Sequence, residues 1–186
     1  MTTLFTKNTK INGLKLITRE PATDKRGYLD RLFCLKSLEA DFDSRKIIQI
    51  NHSFTEKEGT IRGLHYQKPP SGELKIVTCL KGEVFDVAVD LRKDSPTFLH
   101  WHGEILTEKN KLSLMIPEGF AHGFQTLTKN CELIYFHTKA YDRASEAGIN
   151  AVDPCIKIKW PIAISHRSER DEKQSFLSEQ YEGIVL

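Results

Sequence analysis

Nothing in this 186-residue chain signals secretion, membrane insertion or metal capture by paired cysteines. The four cysteines, Cys34, Cys79, Cys131 and Cys155, lie far apart and form no C-x-x-C pair, which removes the common zinc and thiol-redox patterns. Cys79 and Cys131 fall inside apolar stretches and read as buried thiols, because a free cysteine packs like a small hydrophobe. The opening MTTLFTKNTKING lacks the apolar core of a signal peptide. No run approaches the roughly 20 apolar residues of a spanning helix. The expectation is a reducing, cytoplasmic setting with no membrane partner. A surplus of one charge is missing as well: 27 Lys and Arg face 25 Asp and Glu, for a net charge of +2. A dedicated nucleic-acid binder would carry a concentrated basic surface, whereas a small anionic ligand needs only two or three placed cations. GxSxG, P-loop and GxGxxG patterns are absent too, so hydrolase, kinase and dinucleotide readings have no starting point.

What is present is a chain of short, alternating, β-branched segments bounded by Gly, Pro, Asn and Asp. They are Leu14–Thr18, Lys46–Phe54, Lys75–Leu80, Val84–Leu91, Gly103–Leu106, Leu112–Ile116 and Glu132–Thr138. Lys81-Gly82-Glu83 reads as a hairpin turn, and Ser95-Pro96-Thr97 breaks the next run. Val84, Asp86, Ala88 and Asp90 share one strand face, leaving Phe85, Val87, Val89 and Leu91 on an apolar face that packs on a core from one side. Short helices are expected at Cys34–Phe42 and Ser165–Gln174. With no linker or repeat, the length fits one domain over residues 1–186, an antiparallel sandwich or barrel.

Three stretches place polar residues where a strand pattern does not require them. In Ile61-Arg62-Gly63-Leu64-His65-Tyr66-Gln67, simple alternation puts His65 on the face opposite Arg62 and beside a glycine that leaves room for a ligand or a close backbone. A lone histidine there is commonly structural. In Ile116-Pro117-Glu118-Gly119-Phe120-Ala121-His122, a turn leads into a strand opening with His122; this P-x-G-x-x-H pattern recurs in cupin barrels, though a histidine capping a strand end would look the same. In Leu133-Ile134-Tyr135-Phe136-His137, Tyr135 and His137 share a face. A tyrosine hydroxyl, protonated at neutral pH, suits a proton donor, and equally suits a core ring bonded to a carbonyl. His100-Trp101-His102 could share a metal, but Glu104 and Glu108 do not complete a ligand set, and a solvent-facing pair is the better reading. The run Ser168-Glu169-Arg170-Asp171-Glu172-Lys173 has the look of a solvated helix face.

Taken together, IRGLHYQ (61–67), ELKIV (73–77), KGEVFDVAVDLRKDSPTF (81–98), IPEGFAHGF (116–124), ELIYFHT (132–138), SEAGI (145–149) and IKWP (158–161) resemble the dTDP-4-dehydrorhamnose 3,5-epimerase family. The resemblance spans nearly the whole chain, in order. It implies an all-β, cupin-like double-stranded β-helix (jelly-roll) barrel with short flanking helices. It also implies double inversion at carbons 3 and 5 of dTDP-4-keto-6-deoxyglucose, with no cofactor and no metal. His65 matches the general base, Asp171 its acid partner, Tyr135 the donor on the opposite sugar face, and Lys75 the cation beside the keto oxygen. His122 would bond the sugar, while Arg26, Gln49, Asn51, Arg62, Glu146 and Arg170 fall where the family contacts nucleotide and sugar. A homodimer exchanging N-terminal strands is implied, with Arg26 serving the neighbour's site.

One departure concerns Arg26-Gly27-Tyr28-Leu29-Asp30-Arg31, where Arg31 stands at the place of a nucleotide-holding glutamate and Leu29 replaces an aromatic. Asp30, one residue early, would face the other side of a strand, so altered base recognition is expected. Alternatives are a single-centre epimerase of a TDP-, CDP- or GDP-linked 4-keto sugar, a metal-dependent cupin oxygenase using His100, His102 and His122, and a sugar-binding cupin without catalysis.

Overall fold

A computed structural model describes residues 3–186. The strands are β1 (Thr3–Asn8), β2 (Lys15–Glu20), β3 (Ala22–Asp24), β4 (Gly27–Leu29), β5 (Gln49–Thr55), β6 (Ile61–Gln67) and β7 (Lys75–Lys81). They continue with β8 (Glu83–Asp90), β9 (Trp101–Thr107), β10 (Leu112–Ile116), β11 (Phe120–Thr126), β12 (Cys131–His137) and β13 (Glu146–Gly148). Helix α1 spans Leu35–Phe42 and α2 spans Glu169–Glu172. The all-β, cupin-like expectation holds: an antiparallel six-stranded sheet, ordered β1-β2-β10-β7-β12-β5, faces a five-stranded one, ordered β13-β6-β11-β8-β9. The β3–β4 hairpin stands apart from both.

From β5 to β8 the chain changes sheet at every connection. The hairpin expected at Lys81-Gly82-Glu83 is therefore a corner between sheets, since β7 and β8 belong to different ones. Gly82, at φ +78°, lets the chain turn there; a Cβ would lie 2.8 Å from both Cys131 Sγ and Thr128 Oγ1. A turn motif alone cannot separate a hairpin from such a corner.

Three apolar clusters account for the layers. Leu14, Val77, Cys79, Val84, Ala88, Leu106, Leu114, Phe124 and Leu133 fill the space between the sheets. Leu38 and Phe42 of α1, an amphipathic turn pair, cover the outside of the six-stranded sheet with Ile17, Ile76, Met115 and Phe136. Outside the five-stranded sheet, Leu64, Tyr66, Val87, Val89 and Leu91 pack beneath Ile149, Ile156, Trp160 and Tyr181. Strand β8 is consequently covered on both faces rather than one: the C-terminal segment lies over its apolar face, and the face of Val84, Asp86 and Ala88, expected to be outermost, turns toward the other sheet. Cys79 and Cys131 are buried free thiols, as expected.

Two elements start three or more residues later than the sequence pattern places them. The Lys46–Phe54 run becomes strand only from Gln49. The Ser165–Gln174 helix shrinks to Glu169–Glu172, because Ser165 and His166 bond in extended form to Gly59 and Ile61, and Ser168 is the N-cap. Among the described residues no helix is long and apolar enough to cross a membrane.

Candidate active site

Between the sheets opens a cavity of about 760 Å³, within the range of small-molecule sites. Its lining includes His65, Lys75, His122, Tyr135, Gln49, Asn51, Arg62, Glu146, Arg170 and Asp171. Of the residues that the resemblance assigns to the site, only Arg26 lies elsewhere. It sits at the tip of the β3–β4 hairpin, exposed and paired with Asp24 at 2.5 Å.

His65 comes from β6 and faces His122 of β11 across the register. The register then slips by one residue, so that Arg62, not Gly63, opposes Phe124. This bulge overturns the simple alternation: Arg62 and His65 both line the cavity. Glycine makes the slip sterically feasible. Gly63 has φ +116°, and a Cβ there would come within 2.6 Å of Gly123 Cα. Arg62 then reaches β5, donating from Nε to Thr55 Oγ1 at 3.0 Å and from Nη2 to the Phe54 carbonyl at 3.1 Å.

Asp171 is the one buried residue of α2, although it lies in a run that reads as solvated. Capping explains its aim: Asp171 N–H donates to Ser168 Oγ at 3.1 Å, and the carboxylate meets His65 Nε2 at 2.7 Å. Burial works to raise the Asp171 carboxyl, but the His65 ring, the Gly63 N–H and the Ser168 hydroxyl outweigh it and hold it below the ordinary carboxylate range. His65 thus has an anchored anion behind it and an edge toward the cavity.

The facing sheet supplies Tyr135 from β12, opposite Val77, and Lys75 from β7, opposite His137. Burial drives the Tyr135 hydroxyl well above its ordinary pKa, so it stays protonated. Its oxygen lies 3.2 Å from Ser53 Oγ. Lys75 is buried, with its ammonium 3.6 Å from Glu73 Oε1. His122 is buried deeper, its Nε2 2.8 Å from Asp86 Oδ1. Burial lowers its pKa despite that carboxylate. At the mouth, Arg170 pairs with Glu146, which also accepts from Tyr141 Oη at 2.7 Å.

Sequence reasoning missed Asp86, Glu73 and Ser53. Asp86 shares its strand face with Val84, Ala88 and Asp90, and two carboxylates on one face read as an outer surface; its Oδ2 is buried without a partner. Glu73, two residues before Lys75, could have been read as its same-face neighbour. The His100-x-His102 pair divides: His100 is exposed, while half-buried His102 meets Glu104 Oε2 at 3.2 Å. Among the described residues no group of three His, Cys, Asp or Glu is placed to hold a metal ion. Asp30 is held by Arg19 at 3.2 Å, with Lys111 3.7 Å away, and Leu29 and Arg31 are exposed.

Comparison with known proteins places the chain in a family. The family described as dTDP-4-dehydrorhamnose 3,5-epimerase matches residues 8–179. The enzyme of that name from Shigella flexneri is 44% identical over 161 residues, 85% of this chain and 88% of its own. A dTDP-4-dehydrorhamnose 3-epimerase from Streptomyces niveus is 36% identical over 95% of this chain and 85% of its own. The Legionella pneumophila 3,5-epimerase, solved with dTDP-4-keto-L-rhamnose, superposes with a TM-score of 0.88 at 38% identity, covering 93% of this chain and 92% of that one. The chain therefore belongs to the dTDP-4-dehydrorhamnose 3,5-epimerase family and is an isomerase of the nucleotide-sugar epimerase type.

Proposed function

We propose that the cavity inverts carbons 3 and 5 of dTDP-4-keto-6-deoxyglucose, giving dTDP-4-keto-rhamnose, and that His65, Asp171, Lys75 and Tyr135 carry the chemistry. The observation that supports this most is the placement of His65 and Tyr135 on opposing sheets of one cavity. Hydrogen on a carbon beside a ketone is weakly acidic, and its removal leaves an enolate. His65 accepts the proton, and Asp171 orients the ring and stabilises the imidazolium. Lys75 offsets the charge developing on the keto oxygen; loss of one such group typically costs about 3 kcal/mol of barrier. Tyr135, kept protonated by burial, returns a proton from the other face, so the centre inverts. His122, Arg62, Gln49, Asn51, Glu146 and Arg170 hold the sugar and the diphosphate.

His65→Ala should abolish inversion and solvent exchange while nucleotide affinity stays within about twofold, as expected for a group acting on the transition state rather than in binding. Tyr135→Phe should impair reprotonation more than abstraction. A His65→Ala protein exchanging protons at the normal rate would overturn the assignment.

We also propose a homodimer in which the β3–β4 hairpin carries Arg26 toward the neighbour's cavity. Support comes from exposed Tyr28 and Leu29 on that hairpin and from Ile48, just before β5, with Ile50 and Phe54 exposed on β5 at a sheet edge. Because Asp30 is engaged by Arg19, base recognition here relies on other groups; competition among TDP, CDP and GDP tests this, and exclusive TDP binding would reject it. The free cysteines suit a reducing, cytoplasmic setting.

A further inference from the structure

A continuous run of hydrogen bonds crosses the mouth of the cavity and ends at Lys75, and its direction can be read from one end. The backbone N–H of Tyr141 can only donate, and it donates to Gln49 Oε1 at 2.9 Å. Gln49 therefore turns its amide nitrogen the other way, and Nε2–H donates to Asn51 Oδ1 at 3.0 Å. Asn51 in turn has only its own amide nitrogen left, 3.3 Å from His137 Nε2. Two donors cannot share that contact, so His137 Nε2 carries a lone pair and the ring proton resides on Nδ1. Nδ1–H donates to Glu73 Oε2 at 2.8 Å. The remaining oxygen of that carboxylate, Oε1, faces the Lys75 ammonium at 3.6 Å.

We propose that Glu73 and His137 are positioning residues for Lys75, and that the backbone of Tyr141 fixes His137 as the neutral Nδ1–H tautomer through Gln49 and Asn51. The role in turnover rests on the reading that Lys75 faces the keto oxygen. A buried ammonium without a fixed anion is poorly placed and costly. Glu73 supplies the anion, and a neutral imidazole holds the carboxylate without adding a second positive charge beside Lys75. The register makes this compact: His137 opposes Lys75 on β7 and Gln49 on β5, and its ring stacks on Tyr135 at 6.1 Å. Facing His137 are thus Glu73 and Lys75 from one side, Asn51 from the other and Tyr135 along its own strand.

Nitrogen-15 NMR of the histidine side chains in the unliganded protein tests the tautomer directly. At about pH 8, His137 should show a protonated Nδ1 and a bare Nε2. Asn51→Asp, which presents an acceptor in place of the donor, should move a proton onto Nε2. Kinetically, Glu73→Leu should lower kcat about tenfold with KM within about twofold, and Glu73→Gln should lower it as well, because a carbonyl that accepts from His137 leaves an uncharged amide N–H₂ facing the Lys75 ammonium. An Nε2–H tautomer in the wild type, an unchanged tautomer in Asn51→Asp, or wild-type kcat in Glu73→Leu would each overturn the proposal. The tautomer measurement needs no substrate, so it decides the state of His137 even for a chain inactive on the 4-keto sugar, and inactivity of the wild type would count against the epimerase reading alone.

Discussion

Three of the imidazoles lining this cavity meet a carboxylate within 2.8 Å, His65 with Asp171, His122 with Asp86 and His137 with Glu73, and their surroundings give them different work. His65 is partly exposed and can trade a proton with a ligand, whereas His122 is buried and its pKa is lowered by that burial. A histidine whose folded pKa lies below its unfolded value of 6.5 binds its proton later than the unfolded chain does. Its contribution to stability is present above that value and is lost as pH falls toward the folded pKa. The urea midpoint should therefore drop between about pH 7 and about pH 5, and His122→Gln should drop less over that interval. An unchanged slope in the variant would refute this account of His122. Asp171 acts in a lower window, since its carboxyl is depressed from 3.8: its stabilisation is lost only as pH falls below that value. The RGLH and Tyr-x-His stretches could be singled out from their residues, though each also fitted a structural reading and their roles came from the family resemblance; both line one cavity. Glu73 with His137 was not, because that contact is made by residues 64 apart, one on β12 and the other just before β7.

Strand β6 shows how an element can carry the right residues and still be misread. Alternation sends Arg62 and His65 to opposite faces, yet the one-residue bulge brings both into the cavity. The glycine within RGLH was the only available signal of that irregularity, and it is equally compatible with a regular strand beside a bulky neighbour. Gly123 on β11 completes the close approach: a Cβ there would lie 2.6 Å from the Arg62 carbonyl and 2.9 Å from Leu64 Cδ2. Backbone cannot yield as a flexible side chain does. Gly123→Ala should destabilise the protein by about 1–3 kcal/mol, as overpacking does, and should lower kcat by displacing His65 and Arg62 together. Thermal unfolding with turnover checks both; a variant with wild-type stability would mean that the two strands have room to part. The Gly82 corner is the converse case, where a correct turn was assigned to the wrong connection because local residues do not say which sheet the next strand joins.

Across the whole molecule, an antiparallel sandwich or barrel was readable from many short strands and few helices, and its cupin-like form from the family resemblance, but its covering layers were not. Sequence alternation along β8 describes two faces and cannot say that the C-terminal segment will lie over one of them. Surfaces left uncovered are informative in the same way. Ile50 and Phe54 on β5 and Ile48 just before it remain exposed, as do Tyr28 and Leu29 on the hairpin. At micromolar concentration the protein should sediment at twice the 21.3 kDa chain mass, and Ile50→Lys should shift it toward the monomer. A monomeric wild type would remove the exchanged-hairpin arrangement and leave Arg26 without a role in the cavity.

Inversion by an imidazole and a phenol from opposite sides predicts that solvent hydrogen enters the sugar at each inverted centre. The direct measurement is incubation of the wild-type protein with dTDP-4-keto-6-deoxyglucose in deuterated water, followed by proton NMR of the hexose. Deuterium at both carbon 3 and carbon 5, with rhamnose-configured product, is the expected result. Retention of the original hydrogens at both carbons would contradict it.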